Sequence, residues 1–461
     1  MTFPRGLALL VAAALFMEML DATILTTALP SIAHSFGVDA VDVNVAVSSY
    51  LLVLAVLIPA SGWMADRFGT RLVFISAIAV FTVASVGCAL STSLPMLVGM
   101  RALQGVGGAM MVPVGRLAVL RVTSKAELVR AIAYLTWPAL TAPVLAPAVG
   151  GAVVSIASWR WIFLINVPIG IVGFLLALRM VPDLRKVQKR SLDWLGLVVI
   201  GAGVAVLVVA LDSVHSSGTD WIRVGLGIVV SLILSTLAVI HLLRSDHPLI
   251  ALGDLRLRSF RIVASSGSLY RLVITGVPFV LPLLFQVGFG MSAFKAGLLV
   301  MALFAGNIAI KPLTTPLMRR FGIRRVLVGN GVLSVVCFGA LALISSTTPD
   351  VVIAVALFVS GALRSIGFTA YNSVAFAEVD SGELADANTL HATLQELASG
   401  LGIALSALVI TLCTPLAESG DLGGGAPFSL TLGVLGILLV PTVIESWRLP
   451  RDTGAVVLAR R

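Results

Sequence analysis

The chain of 461 residues is 58% hydrophobic and only 11% charged, with a formal net charge of +9. A soluble domain is roughly a quarter charged, and a chain this apolar has too little polar surface to face water, so its solvent is lipid. The basic excess does not point to nucleic acid, because Lys and Arg recur in short bursts between apolar runs, which is how membrane topology is written.

Apolar runs long enough to cross a bilayer as a helix, about 20 residues each, number about fourteen. In chain order their cores are Gly6–Ala28, Val45–Ala65, Leu72–Leu90, Leu94–Leu117, Ala131–Ile156, Trp161–Met180 and Leu192–Leu211, then Trp221–Leu243, Ile262–Val287, Ala293–Met318, Val326–Ile344, Val351–Ala375, Ala387–Cys413 and Phe428–Ile444. The first run has one early basic residue, Arg5, but it is long and carries acids, so it is expected to be a retained span rather than a signal peptide. Cys88, Cys337 and Cys413 all lie within apolar runs, which argues against a disulfide framework, and no Cys/His spacing suggests a metal site.

The loops alternate in charge. One set holds Arg67 and Arg71; Arg121, Lys125 and Arg130; Arg185, Lys186, Lys189 and Arg190; Arg256 and Arg258; and Arg319, Arg320, Arg324 and Arg325. The other holds little more than Arg160, Arg223 and Lys295. The basic set is expected to be cytoplasmic, with both termini on that side. A repeat accompanies this pattern: "DRFGTRLVF" (Asp66–Phe74) is matched by "RRFGIRRVL" (Arg319–Leu327), so that Arg67, Phe68, Gly69 and Arg71 recur as Arg320, Phe321, Gly322 and Arg324. The expected fold is therefore an all-α integral membrane protein of about fourteen helices. Two six-helix bundles, residues 1–184 and 251–461, would be related by a pseudo-two-fold axis along the membrane normal. Two extra helices and the basic linker "RKVQKRSLDW" (Arg185–Trp194) would lie between them, over 185–250.

A charge at the centre of a membrane helix costs roughly 2.5–3.5 kcal/mol on insertion scales, so charged residues inside the spans are functional candidates. Glu18 and Asp21 are three residues apart and share a helix face. At about 1.5 Å rise per residue, Asp21 lies roughly 10 Å below the outer end of span one, and Arg101 lies at about the same depth in span four. The two are placed to pair across the N-terminal half, either as a site for protons or substrate or as an ion pair bracing the two spans. In the second half Arg271, Arg364 and Glu396 fall near the midplane, with Gln395 and His391 on the turns around Glu396. The alternative there is an internal salt-bridge network, and His391 alone can be a simple hydrogen-bond donor. Lys311 lies nearer the cytoplasm, where it either joins the site or snorkels to the interface. Buried bases outnumber buried acids and aromatic residues make up only 7%, a poor pocket for lipophilic cations. An anionic or zwitterionic substrate, with Arg as a bidentate partner, is expected instead.

Other features have plainer readings. Asn166 and Pro168 in "FLINVPIG" are expected to bend or terminate the start of span six. The run "GVGGAM" lacks the Lys-Ser/Thr of a phosphate loop and lies in a membrane helix, where small residues aid packing. The acidic stretch "EVDSGELAD" (Glu378–Asp386) reads as a solvated cytoplasmic loop.

Parallel six-span halves with the loop "GWMADRFGTR" (Gly62–Arg71) and the span-four sequence "RALQGVGGAM" (Arg101–Met110) resemble the major facilitator superfamily. "LDATILTTALP" (Leu20–Pro30) and "SWRWIFLINVPIG" (Ser158–Gly170) resemble signatures of its fourteen-span drug/proton antiporter branch, in which the chain is similar to the MdtD-type multidrug exporters. The resemblance implies that Asp21 and Arg101 serve proton coupling; Glu18 and Glu396 are candidates for the same role from their own placement inside the spans. It also implies that Gly62, Asp66, Arg67, Gly69 and Arg71 form a cytoplasmic gate latch, and that Pro147, Gly150 and Gly151 belong to the antiporter motif of span five. Three departures stand out: Ala142 and Ala146 replace the usual glycines before Pro147, Arg319 stands where the first half has Asp66, and Glu18 and Glu396 stand where polar uncharged residues are common. The implied protein is a multi-pass exporter of the bacterial inner membrane, driven by protons and not an enzyme. It would be a monomer in membrane lipid, binding a small-molecule substrate, with no cofactor, metal or nucleic acid. A proton symporter of the same fold and a lipid-handling membrane protein are the alternatives.

Overall fold

In the computed structural model the described residues are 5–123, 128–183, 191–213, 220–245, 248–376, 378–379, 384–419 and 423–450, and among them all regular structure is helical. The chain divides into two compact units, Met1–Val208 with Gly227–Leu249, and Val209–Leu226 with Ile250–Arg461. Twelve helical segments are long and apolar enough to cross a membrane, and a helix pair bent by 50° brings the number to thirteen. The expected number of about fourteen is not reached by this count. The remaining expected span, Ala131–Ile156, coincides with a helix over Leu128–Ile156, of which Thr141–Ile156 qualifies only as a shorter apolar helix among the described residues. Lys125 and the linker residues Arg185, Lys186, Lys189 and Arg190 lie outside the described residues, as do both chain ends.

The first unit begins with α1 (Arg5–Phe36), α2 (Asn44–Phe68), α3 (Thr70–Ala89), α4 (Leu94–Val122) and α5 (Leu128–Ile156). Span six follows as α6 (Trp161–Leu164) and α7 (Asn166–Met180), which run on through Ile165 with helical dihedrals as one span, so the break or bend expected from "FLINVPIG" is not seen as a bent pair. Helix α1 packs on α4, α5 and α7, while α4 packs on α2 and α3. This places one face of α1 inside a core that includes Leu15, Met17, Tyr50, Phe74, Phe81 and Met111. Close approach of α5 to α1 depends on Gly150, where a Cβ would meet the backbone oxygen of Ile24 at 3.0 Å and the Thr27 side chain. That is the physical content of the small residues around Pro147.

Two further helices, α8 (Trp194–Asp212) and α9 (Trp221–Arg244), are the least buried of the spans, with only 17% of each apolar window covered, so most of their surface is left for lipid. A polar clasp at the ends of these spans holds them together. Asp193 precedes α8 and accepts the Gly196 backbone N–H at 2.8 Å, the bond of a helix N-cap. Its carboxylate also meets His241 Nε2 of α9 at 2.7 Å and accepts the Leu249 N–H at 3.1 Å. Burial pushes the Asp193 carboxyl up, but the Gly196 and Leu249 N–H groups and His241 outweigh it and hold the group below the ordinary carboxylate range. The clasp therefore contributes its stability above the ordinary carboxylate range and loses it as pH falls through the lower folded value. Asp193→Ala is expected to cost about 1 kcal/mol at neutral pH, read by thermal unfolding, and the difference from wild type should close in acid. An equal difference at every pH would count against the clasp.

The second unit contains α10 (Arg258–Ile262), a π-helical segment Val263–Gly267, α11 (Ser268–Leu283), a second π segment Leu284–Gly288, α12 (Ala293–Ala309), α13 (Lys311–Phe321), α14 (Ile323–Ala342), α15 (Asp350–Ala375), α16 (Leu384–Ser419), α17 (Ala426–Leu438) and α18 (Val440–Trp447). Helix α12 packs on α15, α11 on α16, and α14 on α15 and α17. The bent pair is α12 with α13, and Lys311 stands at its break. Span nine, expected with a core over Ile262–Val287, runs over Arg258–Gly288 and carries the two π segments, a feature that hydrophobic length alone does not encode.

The sequence repeat has a shared backbone basis. Gly69 (φ 89°, ψ 145°) joins α2 to α3, and Gly322 (φ 79°, ψ 148°) joins α13 to α14. In each turn the glycine N–H bonds back to a carbonyl four residues earlier, that of Ala65 or Met318. Both glycines occupy a region of backbone space that side chains with a Cβ avoid.

Candidate functional site

The first-unit site is built around Asp21 on α1. Arg101 on α4 donates from Nη1 to Asp21 Oδ2 at 2.5 Å, with side-chain exposures of 0% and 1%, so this ion pair is sealed from water in this conformation. Gln104, one turn along α4, accepts from Arg101 Nη1 at 2.7 Å through Oε1 and donates from Nε2 to Asp21 Oδ1 at 2.9 Å and to Ser85 Oγ at 2.9 Å. Asn166 at the start of α7 donates to the same Asp21 oxygen at 2.7 Å. Arg101 is held from the other side as well: its Nε donates to the Ala46 carbonyl at 3.2 Å and its guanidinium stacks 4.3 Å from the centre of the Tyr50 ring. Asp21 thus receives three donors, the arrangement that fits a carboxylate ion. Glu18 is buried one turn away and interacts electrostatically with Arg116 on α4.

The second-unit site is more open. Arg271 on α11, Arg364 on α15, Gln395 and Glu396 on α16, and Lys311 at the α12–α13 break are all partly exposed. Both guanidiniums lie over Phe368, Arg271 at 4.7 Å and Arg364 at 5.3 Å from the ring centre, and Arg364 also lies 5.7 Å from Phe304. Arg271 Nε donates to Ser399 Oγ at 2.8 Å, and Arg364 Nη1 donates to the Ile274 carbonyl at 3.3 Å. Arg271 interacts electrostatically with Glu396, with His391 and with Arg364. Among the described residues neither arginine has a carboxylate within ion-pair distance, and the buried Arg364 Nε has no hydrogen-bond partner. Lys311 Nζ donates to Thr369 Oγ1 at 3.3 Å, beside Phe368 in sequence, so the lysine reaches α15 rather than extending away from the bundle. His391 meets Asn372 Oδ1 through Nε2 at 2.7 Å. Two guanidiniums and one acid thus share a partly accessible cluster, a local excess of positive charge that fits an anionic group, while Lys311 is held on α15 by Thr369.

The loop residues separate into different roles. Asp66 pairs with Arg121 at 2.7 Å, and Arg71 donates to the Leu178 carbonyl of α7, which ties the α2–α3 turn to α4 and α7. Arg67 is exposed, and Gly62 faces open space. In the repeat Arg319, Arg320 and Arg325 are exposed, and among the described residues none of them forms an ion pair. Arg320 lies over its neighbour Phe321 instead.

Sequence reasoning placed the charged residues but missed the neutral ones that hold them. Gln104 was legible as the i+3 partner of Arg101, and Phe368 as the i+4 partner of Arg364. Ser85, Asn372 and Ser399 carried no local signal. Asn166 was read only as a helix bend, and Arg116 was passed over as a residue near the end of a span.

A family model described as Major Facilitator Superfamily matches residues 11–403. The multidrug resistance protein MdtD of Escherichia coli O6:H1 is 35% identical over 460 residues, covering 98% of this chain and 96% of its own. Its namesake from Enterobacter sp. is 36% identical over 462 residues with the same coverage. Solved structures share the fold at low identity. A D-xylose-proton symporter aligns with a TM-score of 0.70 at 14% identity, over 98% of this chain and 99% of its own. A POT family transporter in complex with 5-aminolevulinic acid aligns with a TM-score of 0.70 at 16% identity, over 96% and 95%.

Proposed function

We propose that this chain, which belongs to the major facilitator superfamily and is a multi-pass membrane transporter, exports small molecules against the inward proton gradient by alternating access of its two halves. The observation that carries this reading is the sealed Asp21–Arg101 pair in a membrane span. A carboxylate buried there is retained at a cost, and exchanging its proton between two openings of the site recovers a use for it. One proton crossing a potential gains about 2.3 kcal/mol per 100 mV, enough to sustain a sizeable substrate gradient. The Arg271/Arg364/Glu396 cluster, with Gln395, His391 and Lys311, is the substrate site, and Glu396 and Glu18 are secondary proton sites. The substrate carries an anionic or zwitterionic group. Relatives that carry a multidrug-resistance name support export, and a bacterial inner membrane is the location that goes with this reading.

Import by proton symport is the second reading. It is favoured by one observation: Ala142 and Ala146 fill the positions where the exporter signature has glycine, and both are fully buried. Proteoliposomes with a trapped pH dye separate the two. Export predicts that a carboxylate substrate on the cytoplasmic face triggers proton movement opposite to its own, whereas symport predicts movement in the same direction. No coupled proton movement with any carboxylate or cationic dye would remove both readings.

A further inference from the structure

Asn166 is 1% exposed. Its Nδ2 lies 2.7 Å from Asp21 Oδ1 and 3.4 Å from Ser85 Oγ. The donor assignment follows from chemistry, since a carboxylate ion only accepts and the amide oxygen turned toward it would be repelled. The Asn166 Oδ1 is then buried without a hydrogen-bond partner among the described residues, a cost of about 1–3 kcal/mol.

The origin of the three donors matters. Arg101 and Gln104 both ride on α4, so they move together. Asn166 rides on span six, a different helix from the one that carries Arg101 and Gln104. A shift of α7 against α1 removes one donor and leaves the other two in place. The other titratable groups facing Asp21 are few. Arg101 and Cys88 interact with it directly, Tyr50 lies beyond Arg101, and Glu18 stands one turn along α1. The described side chains of α5 from Thr141 to Ile156, all of α6 and the first turns of α7 contain no titratable group.

We propose that Asn166 is a positioning residue for the proton step: its third hydrogen bond keeps Asp21 ionised in this state, and withdrawal of α7 lets the proton on. The inference rests on the proton-coupled reading above. It links span six, through the "FLINVPIG" motif, to the timing of proton uptake.

The test is a pH titration of the protonated-carboxyl infrared band in purified full-length protein, with Asp21→Asn identifying the band that belongs to Asp21. Asn166→Leu is expected to move the midpoint of that band up by about one pH unit, a tenfold change in proton affinity. Asn166→Gln, which keeps the amide, should return most of the shift. If Asn166→Leu fails to fold, Asn166→Ala serves instead, and loss of the donor without an added charge should also move the midpoint upward. Unchanged midpoints, with only a lower unfolding temperature, would reduce Asn166 to a packing residue and overturn the inference. If Asp21→Asn removes no titrating band at all, the proton-coupled reading fails together with it.

Discussion

Replacing Arg101 with methionine is expected to destabilise the protein by about 3–5 kcal/mol, the cost of leaving a buried carboxylate without its partner. The side chains of Arg101 and Asp21 are 0% and 1% exposed, so water cannot solvate the charge that remains. Gln104 and Asn166 would still donate to it, but neutral amides replace a guanidinium poorly. The informative comparison is the double variant. Methionine matches the apolar length of arginine, and Asp21→Asn removes the stranded charge, so Arg101→Met with Asp21→Asn should recover most of the lost stability. Thermal unfolding of the four proteins in one detergent measures the cycle. Losses that simply add would mean that the two residues act independently, and the sealed pair would lose its standing as a proton site.

The second large effect belongs to the other unit. Arg271→Met and Arg364→Met are each expected to weaken binding of a carboxylate substrate by about 10- to 100-fold, the worth of a charge-assisted hydrogen bond of roughly 1.5–3 kcal/mol. Binding is read from ligand-induced thermal stabilisation, because a ligand that binds the folded state raises its apparent stability. The Nε of Arg271 is already committed to Ser399, so its substrate contact would fall to the terminal nitrogens. Lysine at either position should not restore binding fully, because stacking over Phe368 uses the planar guanidinium. If cationic dyes stabilise the protein and both methionine variants keep that response, the anionic reading of the site is wrong.

The two sites also differ in what they are built to do. The Asp21 site is closed, and its one acid and one base face each other, the carboxylate met by three donors and the guanidinium also by the Ala46 carbonyl and Gln104. The Arg271/Arg364 site is partly open and carries excess positive charge. A closed, balanced pair suits a particle as small as a proton. An open, unbalanced cluster suits a molecule that brings the missing charge with it.

Much of this molecule is written in local chemistry. The need for lipid, the approximate positions of the spans and the charged residues inside them follow from composition and run length, because the penalty for a charge in hydrocarbon acts on each residue separately. The repeat around Gly69 and Gly322 was equally legible, since a turn at positive φ demands glycine wherever it occurs. Tertiary structure alone decided the rest. Asp21 and Arg101 are eighty residues apart, and their contact depends on how α1 and α4 pack. Asn166 reaches the same carboxylate from α7, and Ser399 reaches Arg271 from α16. The π segments of span nine do not follow from run length, whereas the break at Lys311 has a local cause, since Pro312 follows it and offers no N–H to the preceding turn. The reason is physical: hydrophobic transfer is summed along the chain, whereas a hydrogen bond exists only where folding brings a donor within about 3 Å of an acceptor.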